Sequence, residues 1–311
     1  MKIYNGLNGF SKLKHAVVTS GTFDGVHYGH RKIIDRLCQI AKNDGGETVL
    51  ITFWPHPRLV LYPNEPLHLL NTLEEREALL AENCIDHLIR IPFTKDFAQL
   101  SSTEFIQQIL IDGIGTKKLV IGYDHRFGKN REGSFDHLTQ NSHNYGFEIE
   151  EIPRQEVDDM GVSSTKIRNA LSQGAIEQAN HLLGYKYHLT GNVTKGDEIG
   201  RRIGFPTANI FVNSPIKLVP ADGVYTVRVR FEESWYGGML YIGKRPTLNG
   251  QNRSIEVNIF NFDQNIYDKD LTIEFICHIR GDMHFDNLDA LQTQLSKDKL
   301  QSQSILLRYE K

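Results

Sequence analysis

The hydrophobic rhythm of this chain changes once, and that change limits the fold more than any other feature. Over the first half, short apolar runs alternate with segments whose apolar residues recur at helical spacing. Residues 15–20 (HAVVTS), 48–53 (TVLITF), 87–91, 118–121 and 148–152 read as strands, and 32–42 (KIIDRLCQIAK), 72–83 and 102–111 as helices. Thr72 with Glu75 has the form of a capping box. Strand, helix, strand in series needs a crossover each time, so the pattern predicts a parallel sheet with helices on both faces. Two further helices are predicted over 164–172 and 175–183, with Gly184 as the stop. Beyond about residue 185, strict alternation takes over in 224–231 (VYTVRVRF), 254–260 (SIEVNIF) and 271–279 (LTIEFICHI), separated by turns rich in Gly, Asn and Asp. That half is predicted as an antiparallel sheet or small closed barrel, with a helical tail over 288–295 and 301–309. A chain of 311 residues has room for two cores, and the boundary is drawn between 1–184 and 185–311.

Composition removes several function classes. The net charge is −3 and the basic residues are scattered, so no nucleic-acid or membrane partner is expected. No window nears the run of about 18 apolar residues that spans a bilayer. The opening MKIYNGLNGFSKLKH lacks the apolar stretch of a secretory signal. Cys38, Cys84 and Cys277 lie far apart with no CxxC pair, which predicts reduced, mostly buried thiols in a cytoplasmic protein. Near-neutral charge leaves weak or transient self-association open.

The first constellation is GTFDGVHYGH (21–30), between the first predicted strand and the first helix. Ligands bind parallel sheets at this carboxyl edge. Glycines such as Gly25 and Gly29 let backbone approach a ligand, and the helix start offers free N–H groups and the positive dipole end to phosphate. His27 and His30 face the same way on an opening turn and can donate to phosphate oxygens. A lone HxxH is more often a cap or a surface feature, but its setting among glycines at a strand–helix junction reverses those odds. A metal site is a further option, although the HExxH pattern is absent and no third ligand is evident. The Walker lysine is absent too, so this is not a P-loop. SSTKIR (163–168) can hold a second anion through a capping serine and Arg168, or be an ordinary helix start. WPHPR (54–58) and GYDHRFG (122–128) follow strands and fall at the same sheet edge. Tyr123 and Phe127 can stack on a flat ring, and core packing explains them nearly as well.

These motifs together resemble the nucleotidylyltransferase superfamily and, more narrowly, the adenylyltransferase half of bacterial bifunctional riboflavin kinase/FAD synthetases. The resemblance implies that His27 and His30 stabilise the transferring phosphate and the pyrophosphate leaving group. It implies that Phe23, Asp24, Gly25, Gly29, Ser164, Thr165 and Arg168 hold ATP. His56, Pro57, Arg58, Asp124 and Phe127 would lie near the flavin. The loop reads D-H-R-F-G where relatives often have D-F-R-F-G, so His125 is a departure.

The second constellation is GNVTKGDEIGRRIGFPTAN (191–209), glycine-rich and running into a strand. Thr207 and Asn209 point to the same side of that strand, and their oxygens suit Mg²⁺, which takes its remaining ligands from water and substrate phosphates. The loop offers backbone N–H groups to those phosphates. Glu256 can accept the proton of an attacking hydroxyl. On spacing alone it is simply the solvated face of a strand, and Thr207–Asn209 a turn entrance set by Pro206. GRRIGFPTAN, however, resembles the signature of riboflavin kinases, and ADGVY (221–225), IGKRPT (242–247) and IEVNIF (255–260) follow in that family's order. That resemblance implies Glu256 as general base, Thr207 and Asn209 as Mg²⁺–ATP ligands, Gly196, Gly204 and Pro206 in the ATP loop, and the flavin ring near Arg280. GYKY (184–187) stands where relatives often carry an arginine after the glycine.

The fold expected is therefore α/β plus β: an N-terminal Rossmann-like nucleotidylyltransferase domain with a parallel sheet, and a C-terminal six-stranded β-barrel riboflavin kinase domain with a helical tail. The expected substrates are riboflavin, FMN and ATP, with Mg²⁺ accompanying ATP and no permanently bound cofactor.

Overall fold

The structure is a computed structural model that describes residues 1–123, 125–153, 161–196, 199–244 and 253–309. The chain packs as two compact units, Met1–Ser164 and Thr165–Lys311.

The first unit is built on a six-stranded sheet in which every pairing is parallel. Its strands are β1 (Lys2–Asn5), β2 (Ala16–Ser20), β3 (Glu47–Trp54), β4 (His87–Pro92), β5 (Thr116–Gly122) and β6 (Glu148–Ile152), in the spatial order β1-β4-β3-β2-β5-β6. All five residues of β2 are buried, as a central strand covered on both faces requires. Ala16 and Val18 point into a core with Ile51, Ile89, Phe105, Leu110 and Leu138, while Val17 meets Leu37, Ile40 and Ala41 of α1 (Tyr28–Asp44) on the other face. α1 stops at Gly45, which adopts φ 66° and returns its N–H to the Ala41 carbonyl. α2 (Pro57–Leu61) follows β3, and α3 (Leu73–Ala81) opens with the predicted capping box of Thr72 and Glu75. α4 (Ser102–Phe105) continues as a π-helical segment over Ile106–Ile114, and α5 (Phe135–Tyr145) precedes β6.

Strand order reverses at β2, with β3 and β4 on one side and β5 and β6 on the other. The crevice between the loops that leave β2 and β5 is thus the topological switch point, where parallel sheets place ligands.

The second unit is a closed barrel of β7 (His188–Thr194), β8 (Ala208–Phe211), β9 (Gly223–Phe231), β10 (Ser234–Lys244), β11 (Arg253–Ile259) and β12 (Asp270–Arg280), in the order β10-β11-β8-β7-β12-β9. α6 (Ser164–Ser172) and α7 (Ile176–Leu183) precede it, and the short α8 (Ile199–Arg202) lies between β7 and β8. Asn180 of α7 donates to the Phe275 carbonyl and accepts from the Tyr187 amide, which fixes α7 to the barrel.

Two expectations change. The tail is one helix, α9 (Leu288–Tyr309), because the polar stretch between its halves contains no Gly or Pro to break it; Leu306 buries against Phe205, Met239, Phe260 and Ile276. Two of the three cysteines, read as far apart, are neighbours in space. Cys38 of α1 and Cys84, before β4, lie side by side with Cα atoms 6.0 Å apart. Strand pairing brings the two together across 46 residues of sequence, a proximity that spacing does not reveal.

Candidate active sites

The loop from Gly21 to His27 carries the first site, and its backbone is unusual. Phe23 (φ 49°) and Val26 (φ 35°) both occupy the left-handed region that side chains rarely adopt. Such a turn persists only when its surroundings hold it. Asp24, 1% exposed, does so with its carboxylate, which accepts the Leu70 amide at 3.0 Å and the Asn71 amide at 3.3 Å. Its carbonyl accepts the Ser164 hydroxyl at 2.9 Å. The Thr22 carbonyl accepts a guanidinium N–H of Arg76 at 2.7 Å and the Thr52 hydroxyl at 3.3 Å.

This turn delivers the two histidines. His27 caps α1, its Nδ1 accepting the His30 amide at 3.4 Å, and the two imidazoles stack with centroids 3.6 Å apart. The Phe23 ring lies 5.1 Å from that of His30. Burial, then His27, then Arg76 push the His30 imidazole well below its usual range, so His30 is neutral at physiological pH. The paired rings stand at the start of α1, where backbone N–H groups also point outward.

The other predicted residues are placed as follows. His56 caps α2 through the Arg58 amide, Pro57 takes the first helical position, and Arg58 is exposed and pairs with Glu65 at 3.2 Å. Phe127 joins the core beneath the sheet, 5.5 Å from Phe105, and pairs by backbone with Gly133. Gly29 is buried inside the first turn of α1. Thr165 and Arg168 lie on α6, in the second packed unit. Asp124 lies outside the described residues.

In the barrel, Asn209 of β8 stands directly opposite Glu256 of β11. Thr207, one residue before β8, donates its hydroxyl to one Glu256 oxygen at 3.2 Å, and Ser254 donates to the other at 3.2 Å. The half-buried carboxylate is thus held on both oxygens, which the solvated face of a strand does not require. Pro206 is fixed through its carbonyl, which accepts the Asn258 amide at 2.6 Å. Gly196 abuts the Asn209 side chain so closely that a Cβ there would collide with it. Gly204, at φ 79°, makes the left-handed turn into the Phe205–Pro206 segment. Arg280 is engaged with the buried Asp298, giving Nε and Nη2 to its carboxylate at 3.0 and 2.8 Å, and lies 5.7 Å from the Phe285 ring.

The family model described as FAD synthetase matches residues 10–166, and that described as riboflavin kinase matches residues 183–306. Curated relatives described as bifunctional riboflavin kinase/FMN adenylyltransferase align over nearly the full chain. The Haemophilus influenzae protein is 36% identical over 96% of this chain and 97% of its own. The Bacillus subtilis protein is 37% identical over 91% and 90%. This chain belongs to the bifunctional riboflavin kinase/FMN adenylyltransferase family. A solved structure from Streptococcus pneumoniae, described as a macrolide-efflux protein, superposes with a TM-score of 0.88 at 31% identity, covering 97% of this chain and 98% of that one. Among the described residues no helix is long and apolar enough to cross a membrane.

Membership of this family implies a divalent metal alongside ATP, and the barrel oxygens fit one. Thr207 Oγ1, Asn209 and Glu256 are hard donors brought to one spot by the β8–β11 register. Among the described residues no group of three or more His, Cys, Asp or Glu side chains gathers as a metal cage.

Two residues at the switch point escaped the sequence reading. Ser20, the last residue of β2, hydrogen-bonds His125 of the loop after β5 at 2.9 Å and so ties the crevice's two walls. Arg76 is 2% exposed beneath the Thr22 turn. Its signal was a charged residue on the apolar face of α3, one turn from Leu79 and Leu80.

Proposed function

We propose that the chain makes both flavin cofactors, phosphorylating riboflavin to FMN in the barrel and adenylylating FMN to FAD at the switch point. The single observation that carries the reading is that the two motif sets each converge in space: the stacked His27–His30 pair on its braced turn, and Glu256 opposite Asn209 with Thr207 bonded to it. Residues 1–184 are assigned to the adenylyltransferase and 185–311 to the kinase.

At the first site a phosphate oxygen of FMN attacks the α-phosphorus of ATP, the bond to the bridging oxygen breaks, and pyrophosphate leaves with that electron pair. The FMN phosphate is already ionised, so no base is needed; alignment and charge stabilisation carry the step. His27 and neutral His30 donate to oxygens that gain charge, helped by the amides that open α1. Ser164, Thr165 and Arg168 hold the remaining phosphates, with Arg168 supplying the fixed positive charge. His56, Arg58, Asp124 and Phe127 border the flavin.

At the second site Glu256 receives the proton of the ribityl 5′-hydroxyl as its oxygen attacks the γ-phosphorus of ATP, and ADP leaves. Magnesium, bound with the nucleotide by Thr207 and Asn209, supplies positive charge to the phosphates. Thr207 and Ser254 orient the carboxylate, and amides of the Gly196 and Gly204 loops face the nucleotide. Arg280 borders the flavin as part of its pair with Asp298. Both reactions consume ATP, so a cytoplasmic location belongs to the same reading.

Crossed variants test it. His30→Asn should lower FAD formation from FMN by about 10²-fold or more and leave FMN formation intact. Glu256→Gln should lower FMN formation by about 10²–10⁴-fold and leave FAD formation from supplied FMN intact. Losses in the opposite half-reactions would overturn the assignment.

A further inference from the structure

Beneath the histidine turn lies a charge that the reaction scheme above does not use. Arg76 comes from α3, an element outside both nucleotide motifs, yet its guanidinium touches two loops at the carboxyl edge of the sheet, those that follow β2 and β3. One N–H goes to the Thr22 carbonyl at 2.7 Å, inside the GTFDG turn. The guanidinium carbon lies 5.3 Å from the Trp54 ring, at the start of the WPHPR loop. The side chain is 2% exposed, and Nε and Nη2 are buried without a hydrogen-bond partner. An arginine is a costly choice for filling space: a methionine occupies similar volume with no donors to satisfy.

The position of the contact explains the choice. Thr22 immediately precedes Phe23, whose φ of 49° starts the strained turn, and Val26, at 35°, ends it one residue before His27. Asp24 braces the middle of the turn from the Leu70–Asn71 segment. Arg76, a few residues further along the same stretch of chain, braces its beginning. The backbone from 70 to 76 therefore clamps the turn at two points, with one buried anion and one buried cation. Burial pushes the Arg76 guanidinium below its usual range, and the nearby Asp24 acts against that shift.

We propose that Arg76 is a positioning residue of the adenylyltransferase site, whose buried guanidinium clamps the Thr22 carbonyl and so fixes the turn that sets the His27–His30 pair. The proposal rests on the reading of those histidines as the phosphate-stabilising pair. Arg76 acts through the loop and does not touch substrate, since its free donors are sealed from solvent. Its removal should therefore blur the alignment needed in the transition state and leave ground-state binding nearly unchanged, which separates kcat from KM.

The test is steady-state kinetics of Arg76→Met and Arg76→Lys on the full chain, with FMN and ATP varied and the riboflavin kinase reaction measured on the same samples. Arg76→Met preserves bulk and removes charge and donors. It should lower kcat for FAD formation by about tenfold to a hundredfold, the worth of a charge-assisted hydrogen bond, with KM for both substrates within about twofold and kinase turnover unchanged. Arg76→Lys, which can still donate to Thr22, should recover most of the loss. If Arg76→Met does not fold, Arg76→Gln takes its place under the same criteria. An unchanged kcat in the neutral variant overturns the proposal, as does a raised KM for ATP at constant kcat, which would make Arg76 a direct ligand. His30→Asn serves as the reference. If it loses FAD formation while Arg76→Met keeps it, the clamp alone fails; if His30→Asn also keeps it, the reading of the site fails with it.

Discussion

One added methyl group tests the barrel site. Gly196 does not occupy the left-handed region, so alanine fits its backbone and only the side chain matters. A Cβ at Gly196 would run into the Asn209 amide, whose nitrogen, carbon and oxygen are its three nearest neighbours. Ordinary carbon–nitrogen contact requires Asn209 to withdraw by about 1 Å. Asn209 sits on β8, held by backbone pairing to Glu256 on one side and Thr194 on the other, so the strand cannot follow and the side chain must turn away. A displacement of about 1 Å in a positioning group costs roughly 10²-fold in turnover, equal to about 2.7 kcal/mol of barrel-site transition-state stabilisation. Folding stability should change by only about 0.5 kcal/mol, since the loop is not part of a core. The assay is FMN formation from riboflavin and ATP by chromatography, with FAD formation from supplied FMN as the internal control. Gly196→Ala turning over riboflavin at the wild-type rate would refute the reasoning, because it would mean that Asn209 does not serve the kinase step.

One further outcome follows from the first unit. The depressed His30 pKa means that the unfolded chain binds a proton at His30 below its ordinary value of about 6.5 while the folded chain does not. Stability should therefore fall as pH drops below that value, by up to about 1.4 kcal/mol per pH unit; urea titrations at pH 7.5 and 5.5 should show a steeper loss in wild type than in His30→Asn.

What the sequence revealed, and what it hid, divides by the range of the cause. The capping box at Thr72, the buried β2 and the histidine turn are local: apolar spacing, a cap and glycines within a few residues specify them. Alternation exposed β9, β11 and β12, because one face of each packs inward. β1 went unseen because its pairing partner is β4, far along the chain, and its four residues are mostly exposed. β10 was hidden by Gly237 and Gly238, which interrupt alternation; a side chain at Gly237 would meet Leu306 of α9, so the gap in the pattern is where the helix docks. The same limit applies to the sites. His27, His30, Glu256, Thr207 and Asn209 sit in short motifs, whereas Arg76 and the Ser20–His125 bond become meaningful only once the chain has brought separate segments to the switch point.

The most direct test of the account is a time course of purified full-length protein with riboflavin, ATP and Mg²⁺, followed by chromatography. FMN should accumulate first and FAD follow as FMN is consumed, with ADP and pyrophosphate released in the corresponding steps. Formation of neither product, or of FAD without prior FMN, would contradict it.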